Sequence, residues 1–281
     1  MQTDSKQSFN PTIDRIFEAA NRLHALPTNA ARIRRMLADP YTTEGIVIDL
    51  IALDQVLAAQ VLRVANTEWR GKQPPSASIP AAAQYVGLER IKTIIDSAIS
   101  ADAPADRLSG YGLEAEELWR HSVVVASAAR LVGGAVKYPD LDEAYTAGLL
   151  HDIGKLVLDP YVQGRHDELT RLINDQQLEL WQAEEQLFRM DHGTIGSLII
   201  DRWHCPEALS EAVRYHHWPA FASVRPALSA IINVSNALAV YQSQMQLGDP
   251  TLQPEALEIL QLDHLQIRRL QTLLYEQFAK A

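Results

Sequence analysis

The chain has 281 residues, and its 25 Lys and Arg against 35 Asp and Glu leave a net charge of −10. That length suits about two domains at roughly 150 residues each, or one long one. The acidity opposes phosphate backbones and anionic membrane surfaces, which speaks against nucleic-acid and membrane-surface partners. At 47% hydrophobic and 21% charged, the composition is that of a globular chain able to bury a sizeable core. The single Cys205 excludes an intrachain disulfide framework and any cysteine-clustered zinc or iron–sulfur site. The opening MQTDSKQSFNPT lacks the basic start and apolar run of a signal peptide. No apolar run reaches the roughly 20 residues of a membrane span. The nearest, Ala227 to Tyr241, is broken by Asn233, Ser235 and Asn236. A soluble, cytoplasmic protein is expected.

Read in chain order, nearly every segment carries the three-and-four spacing of amphipathic helices, and none alternates long enough for a strand. The fold class expected is all-α: an N-terminal helical subdomain, a larger helical bundle and a C-terminal helix. Residues 1–11 read as a flexible N-terminus. The first subdomain, 12–106, opens with Ile13, Ile16, Phe17 and Ala20, and Leu26-Pro27 then stops the helix, with Thr28 as N-cap. Asp39-Pro40 stops the next, before Thr42 or Thr43. Ile48, Ile51, Leu57, Val61 and Leu62 continue the pattern with a break near Asp54, and GKQPPSASIP at 71–80 is a turn. A boundary is expected near 100–112, where ADAPADRLSGYG gathers Pro, Gly, Asp and Ser. The second subdomain, 107–245, ends before a further break at LGDPTLQPEA. The last stretch, 246–281, carries a stripe of Leu257, Leu260, Ile267, Leu270 and Leu274, with His264 on the same face. It would pack on its own chain or serve as a dimerisation surface.

Five of the nine histidines, His121, His151, His192, His216 and His217, fall at helical positions in the second region. Imidazole is the commonest nitrogen donor for first-row metals, and carboxylates complete such sites. Singly, each is more simply a structural histidine. His24 and His264 read as surface or satisfied core residues, and His166 and His204 sit near turns with no evident partner. The strongest local signal is Ala147-Gly148-Leu149-Leu150-His151-Asp152-Ile153-Gly154-Lys155, in which a neutral nitrogen and an anionic oxygen donor share one turn. Gly148 and Gly154 leave the backbone beside them unobstructed. Arg32, Arg34 and Arg35 read as a solvated helix face, and Trp119 as a core residue.

AGLLHDIGK, preceded by Leu118-Trp119-Arg120-His121-Ser122-Val123, resembles the HD superfamily of metal-dependent phosphohydrolases. More closely, the chain resembles the HDOD branch of bacterial signalling proteins. Leu53 to Asn66, ending in Leu62-Arg63-Val64-Ala65-Asn66, is similar to that branch's first-half signature, and Ile79 and Tyr85-Val86-Gly87-Leu88 fit the segment that follows. Glu184, Asp191-His192-Gly193, Ile195-Gly196, Trp203, Pro206 and His216-His217 also fall where the family pattern places them. The resemblance implies one or two divalent ions (iron, manganese, zinc, magnesium or nickel). His121, His151 and Asp152 would hold the first, with Asp152 able to bridge. His192, His216 and His217 would hold the second, with Glu184 near it and Lys155 approaching a substrate phosphate. Such ions polarise a phosphoryl oxygen and activate water.

Two departures qualify that implication. The superfamily closes its first site with an Asp where this chain has Asn236, a donor without charge. The Asp-Gly-x-Gly-Tyr-Pro run of the cyclic-dinucleotide phosphodiesterases is replaced after His217 by Trp218-Pro219-Ala220-Phe221. Three readings stand open: a regulatory module acting through signalling proteins, a working hydrolase of a nucleotide or other phosphate ester with Asp152 and Lys155 in catalytic roles, and a helical scaffold that binds no metal.

Overall fold

The computed structural model describes residues 11–25, 27–39, 41–70, 72–98, 107–243 and 252–279. The expected flexible terminus, apart from Pro11, lies outside them. So does much of the expected 100–112 boundary and the first part of the break before the last helix.

Among the described residues the chain is helical throughout except for one short hairpin. Helix α1 (Ile13–Asn21) is capped by Thr12, whose hydroxyl accepts from Arg15 N. Helix α2 (Pro27–Leu37) starts on the proline itself, so Thr28 lies inside the helix rather than capping it. Proline suits that first position because its missing N–H would have no helical acceptor. The break near Asp54 is real: α3 (Glu44–Ile51) ends there, and Asp54 Oδ1 caps α4 (Gln55–Trp69) by accepting from Val56 N and Leu57 N, each at 3.0 Å. Helices α5 (Ile79–Val86) and α6 (Leu88–Ala98) meet at Gly87, whose φ of +77° favours glycine. Helices α2 to α6 pack on one another. Asn66, from the Leu-Arg-x-Ala-Asn run, holds the following turn by exchanging hydrogen bonds with the Ser76 backbone at 2.8 and 3.0 Å.

The hairpin is an element the sequence pattern did not show. Its strands β1 (Arg107–Leu108) and β2 (Leu113–Glu114) are antiparallel and only two residues each, too short to alternate visibly. It runs directly into α7 (Ala115–Ala135), which begins with a capping box between Glu114 and Glu117. There follow α8 (Leu141–Leu150), α9 (Ile153–Gln163), α10 (His166–Gln176), α11 (Leu180–Phe188), α12 (His192–Arg202) and α13 (Glu207–Arg214). After a 3-10 turn at Pro219–Phe221 comes α14 (Pro226–Ser243). Helix α7 packs on α8 and α14, while α12 packs on α9 and α13. The start of α14 is fixed twice. Glu211 accepts from the backbone N–H groups of Ser223, Val224 and Arg225, and Arg225 Nη1 reaches buried Glu143 of α8 at 2.6 Å.

The halves are not cleanly separate. Helix α1 packs on α12 and α9, and the Arg202 guanidinium lies over the Phe17 ring at 5.4 Å. The turn between α3 and α4 is gripped from the second region. Trp119 Nε1 donates to Leu53 O, Tyr145 Oη to Ala52 O at 3.0 Å, and Ser122 Oγ to Gln55 Oε1 at 3.3 Å. Trp119 is therefore half-buried at this junction rather than simply in the core. The last stretch is two helices, α15 (Pro254–Leu260) and α16 (His264–Ala279), separated at Gln261, which takes a left-handed conformation. Leu270 and Leu274 are buried where α16 packs on α7 of the same chain, but His264 is exposed and does not share their face. Among the described residues no single helix is long and apolar enough to cross a membrane.

Candidate metal centre

The five histidines singled out in the second region converge. His121 lies on α7, His151 caps α8, His192 opens α12, and His216 and His217 follow α13. Their ring centroids form an unbroken series: His121 to His151 5.2 Å, His151 to His216 5.1 Å, His216 to His192 5.3 Å and His192 to His217 5.0 Å. Asp152, between α8 and α9, stands among them. Its Oδ2 lies 3.3 Å from His151 Nε2 and 3.7 Å from His121 Nε2, and its Oδ1 lies 3.2 Å from His192 Nε2. Two sets of donors result, His121 with His151 and Asp152, and His192 with His216 and His217, the donors of each within 4.8 Å of one another. Asp152 faces both sets.

Local backbone geometry aims the rings. His151 Nδ1 lies 2.8 Å from Gly148 O, and His216 Nδ1 lies 2.6 Å from Val213 O. A carbonyl three residues back accepts a hydrogen bond from Nδ1–H, which leaves each Nε2 a lone pair directed inward. His192 is held differently: its Nδ1 lies 2.6 Å from Glu184 Oε2, which also accepts from His192 N at 2.9 Å. Glu184 Oε1 accepts from Tyr111 Oη at 2.7 Å. Both oxygens of Glu184 are thus engaged behind His192, so that Glu184, near the second set, orients one of its donors. Helices α9 and α12 come close enough for this because position 154 carries no side chain. A Cβ on Gly154 would stand 2.0 Å from His192 O.

These residues fit a divalent cation. His121 Nδ1, His151 Nε2, His216 Nε2 and Asn236 Oδ1 are buried and make no hydrogen bond among the described residues. Buried polar atoms are normally paired, so such a concentration marks a place for a cation or water. Asn236, buried on α14, sits close enough to His121 to favour its protonated form. Lys155 Nζ binds Asp152 Oδ2 at 2.7 Å, so in this state it neutralises the central carboxylate. Burial works against ionisation of Asp152, but the surrounding His151 and His192 rings and the Lys155 ammonium outweigh it and hold its pKa well below the ordinary range.

The outlying histidines lie apart. His166 Nδ1 donates to Gly110 O at 2.8 Å, His204 faces Arg70 at 3.5 Å, and His24 and His264 stay at or near the surface. Two features escaped sequence reasoning. One is Tyr111; the other is an aromatic wall in which Trp181 stacks on His217 at 6.0 Å and Trp218 meets Trp181 edge-on at 5.8 Å. Only the direct sequence adjacency of Trp218 to His217 hinted at the second.

Protonation gives the metal-free protein a defined pH response. Burial, and then the charge of His151, lowers His121 to about 3, and burial with neighbouring imidazoles holds His216 and His217 well below 6.5. The unfolded chain protonates all three near pH 6.5. Stability present above that value is therefore lost as pH falls, with a slope approaching ~1.4 kcal/mol per pH unit for each ring. His192 runs the other way. Burial opposes its charge, but Glu184 raises it to about 9, so its contribution is complete below 6.5 and lost as pH rises through 9. Urea midpoints of metal-free protein should peak near neutrality; equal midpoints at pH 5 and 7 would contradict neutral burial of the rings.

An all-helical bundle that brings five imidazoles and a carboxylate together is the arrangement of an HD-type domain. The chain belongs to the HDOD domain family, whose pattern matches residues 23–219. It is similar to the MmoQ response regulator of Methylococcus capsulatus str. Bath, at 21% identity and a TM-score of 0.67, over 89% of this chain and 97% of that one. A protein of Shewanella amazonensis SB2B provisionally described as a phosphohydrolase matches at 21% identity and a TM-score of 0.51, over 93% of each chain. An uncharacterized protein of Treponema pallidum (strain Nichols) is 23% identical over 196 residues, which is 68% of this chain. The matched stretch spans 37% of that curated relative's length.

Proposed function

We propose that the chain is a signalling module whose HD-type centre binds one or two divalent ions and hydrolyses phosphate esters slowly or not at all. His121, His151 and Asp152 would hold one ion, and His192, His216 and His217 a second, with Asp152 between them. A divalent ion held there would supply Lewis acidity toward a phosphoryl oxygen and activate water. The chain's own residues supply the rest. Glu184 and the carbonyls of Gly148 and Val213 hold ring tautomers, and Lys155 offers a positive charge that a phosphate could draw from Asp152.

The observation that carries the regulatory reading is Asn236, a buried, uncharged amide beside His121. An amide oxygen coordinates but does not neutralise, so the first ion would be held by one carboxylate where the superfamily uses two. The complete set of imidazoles, with Lys155 beside them, favours the second reading, an active phosphohydrolase of a nucleotide or related ester. In the first reading the working contacts are with other signalling proteins, and a second copy could pair through α16, whose Leu265 and Tyr275 are exposed.

Elemental analysis and a panel of phosphate esters separate these readings. Purified protein is expected to carry divalent metal and to show little turnover, and Asn236→Asp is expected to raise metal affinity and turnover together by about tenfold or more, the ~1.4 kcal/mol or greater that an added charged ligand supplies. Rapid turnover by the natural chain that disappears in Asp152→Ala would establish the hydrolase instead. Absence of metal after expression in metal-replete medium would remove both readings of the centre.

A further inference from the structure

We propose that Tyr111 is a positioning residue for the metal centre, fixing the direction of His192 through Glu184 from a hairpin outside the bundle. The inference rests on the metal-centre reading and adds a residue that touches none of the donor atoms.

Tyr111 is among the largest fully buried side chains of the protein, and its hydroxyl meets Glu184 Oε1 at 2.7 Å. Glu184 is itself fully buried, with Oε2 taken by His192 N and Nδ1. A buried carboxylate held through one oxygen can turn about its last bond and swing that oxygen away. Held through both, it presents Oε2 to His192 in one orientation. The cost of leaving Oε1 unpaired in a dry site reinforces that restraint.

The hydroxyl is delivered by a tightly seated backbone. Asp159 Oδ1 accepts from Gly110 N at 2.8 Å and from Tyr111 N at 3.4 Å, while Gly110 O pairs with His166 Nδ1 at 2.8 Å. A Cβ at position 110 would stand 2.4 Å from Asp159 O and 2.7 Å from Gln163 N, so the hairpin lies against α9 with no space to spare. Helix α9 starts directly after Asp152, and the hairpin continues into α7, which carries His121. Tyr111 therefore ties the seating of one hairpin to His192 on the far side of the centre.

Tyr111→Phe keeps the ring and removes only the hydroxyl. Two measurements decide the matter. In metal-free protein the Nδ1 proton of His192, shared with Glu184, gives a far-downfield NMR resonance that is expected to shift in the variant. In chelator competition with Mn²⁺ or Zn²⁺, the variant is expected to bind about tenfold or more weakly, within the 10–100-fold range seen when an outer partner of a ligating histidine is lost. Gly110→Ala, which keeps the hydroxyl but unseats the hairpin, should weaken binding likewise. An unshifted resonance overturns the proposal, and so does wild-type metal affinity in Tyr111→Phe. If the natural chain binds no metal but the resonance moves, Tyr111 still positions His192 and only the metal reading falls.

Discussion

Replacing Asp152 with alanine is expected to abolish divalent-ion binding in both donor sets while leaving the chain folded. Among the described residues Asp152 is the one carboxylate facing both sets: Oδ1 meets His192 at 3.2 Å, and Oδ2 meets His151 at 3.3 Å and Lys155 at 2.7 Å. Glu184 cannot replace it, because both of its oxygens are spent on Tyr111 and His192. Without Asp152 an ion would meet only uncharged donors, the imidazoles and the Asn236 amide, with the Lys155 ammonium nearby as a repelling charge. The expected loss of affinity exceeds about 100-fold, beyond the range for removing an outer partner. Lys155 keeps a flexible stem with which to reach solvent, so the fold tolerates the change. Metal content per chain, read beside far-UV circular dichroism, checks both halves. A folded Asp152→Ala protein with natural metal content would remove the bridging role.

The second large effect belongs to a glycine. Gly154→Ala is expected to destabilise the protein by ~3 kcal/mol or more, at the upper end of overpacking costs. The added Cβ would stand 2.0 Å from His192 O, 2.8 Å from His192 C and 2.9 Å from Gly196 N. All three are backbone atoms, so no side chain can rotate aside and α9 must part from α12. That separation carries Asp152 away from His192, and metal content should fall with stability. Thermal unfolding is the measurement, with a drop of about 10 °C expected for a chain of this size. Gly134→Ala is the matched control: a Cβ there meets nothing within 4 Å, and the change should be neutral or slightly stabilising. Equal melting temperatures for Gly154→Ala and the natural chain would show that the helices can separate without penalty.

Much of this centre was legible in sequence because the relevant residues come in short local groups. His151 and Asp152 are adjacent, as are His216 and His217, and the glycines around them announce close backbone contact. The Asp54 break was equally readable, since a capping carboxylate acts on amides two and three residues ahead. What was hidden depends on distance along the chain. Tyr111 meets Glu184 across 73 residues, and nothing in either segment advertises the other. Glu184 was readable as a neighbour of the second set but not as a brace for His192, because a carboxylate that binds metal and one that braces a histidine are the same residue type. Helix α1 carries an ordinary amphipathic pattern, which records that one face is buried and not that α12 buries it. The division of the last stretch at Gln261 was obscured because an apolar stripe runs through both pieces.

The turn at residues 52–55 has a mechanical consequence. Its carbonyls and the Gln55 side chain are grasped by Trp119, Tyr145 and Ser122, and two of these flank His121 on α7. Prising the amino-terminal half outward would therefore exert torque on the very segment from which His121 projects. A change in how the amino-terminal half is seated would thus be felt at the donor cluster without any direct contact to it.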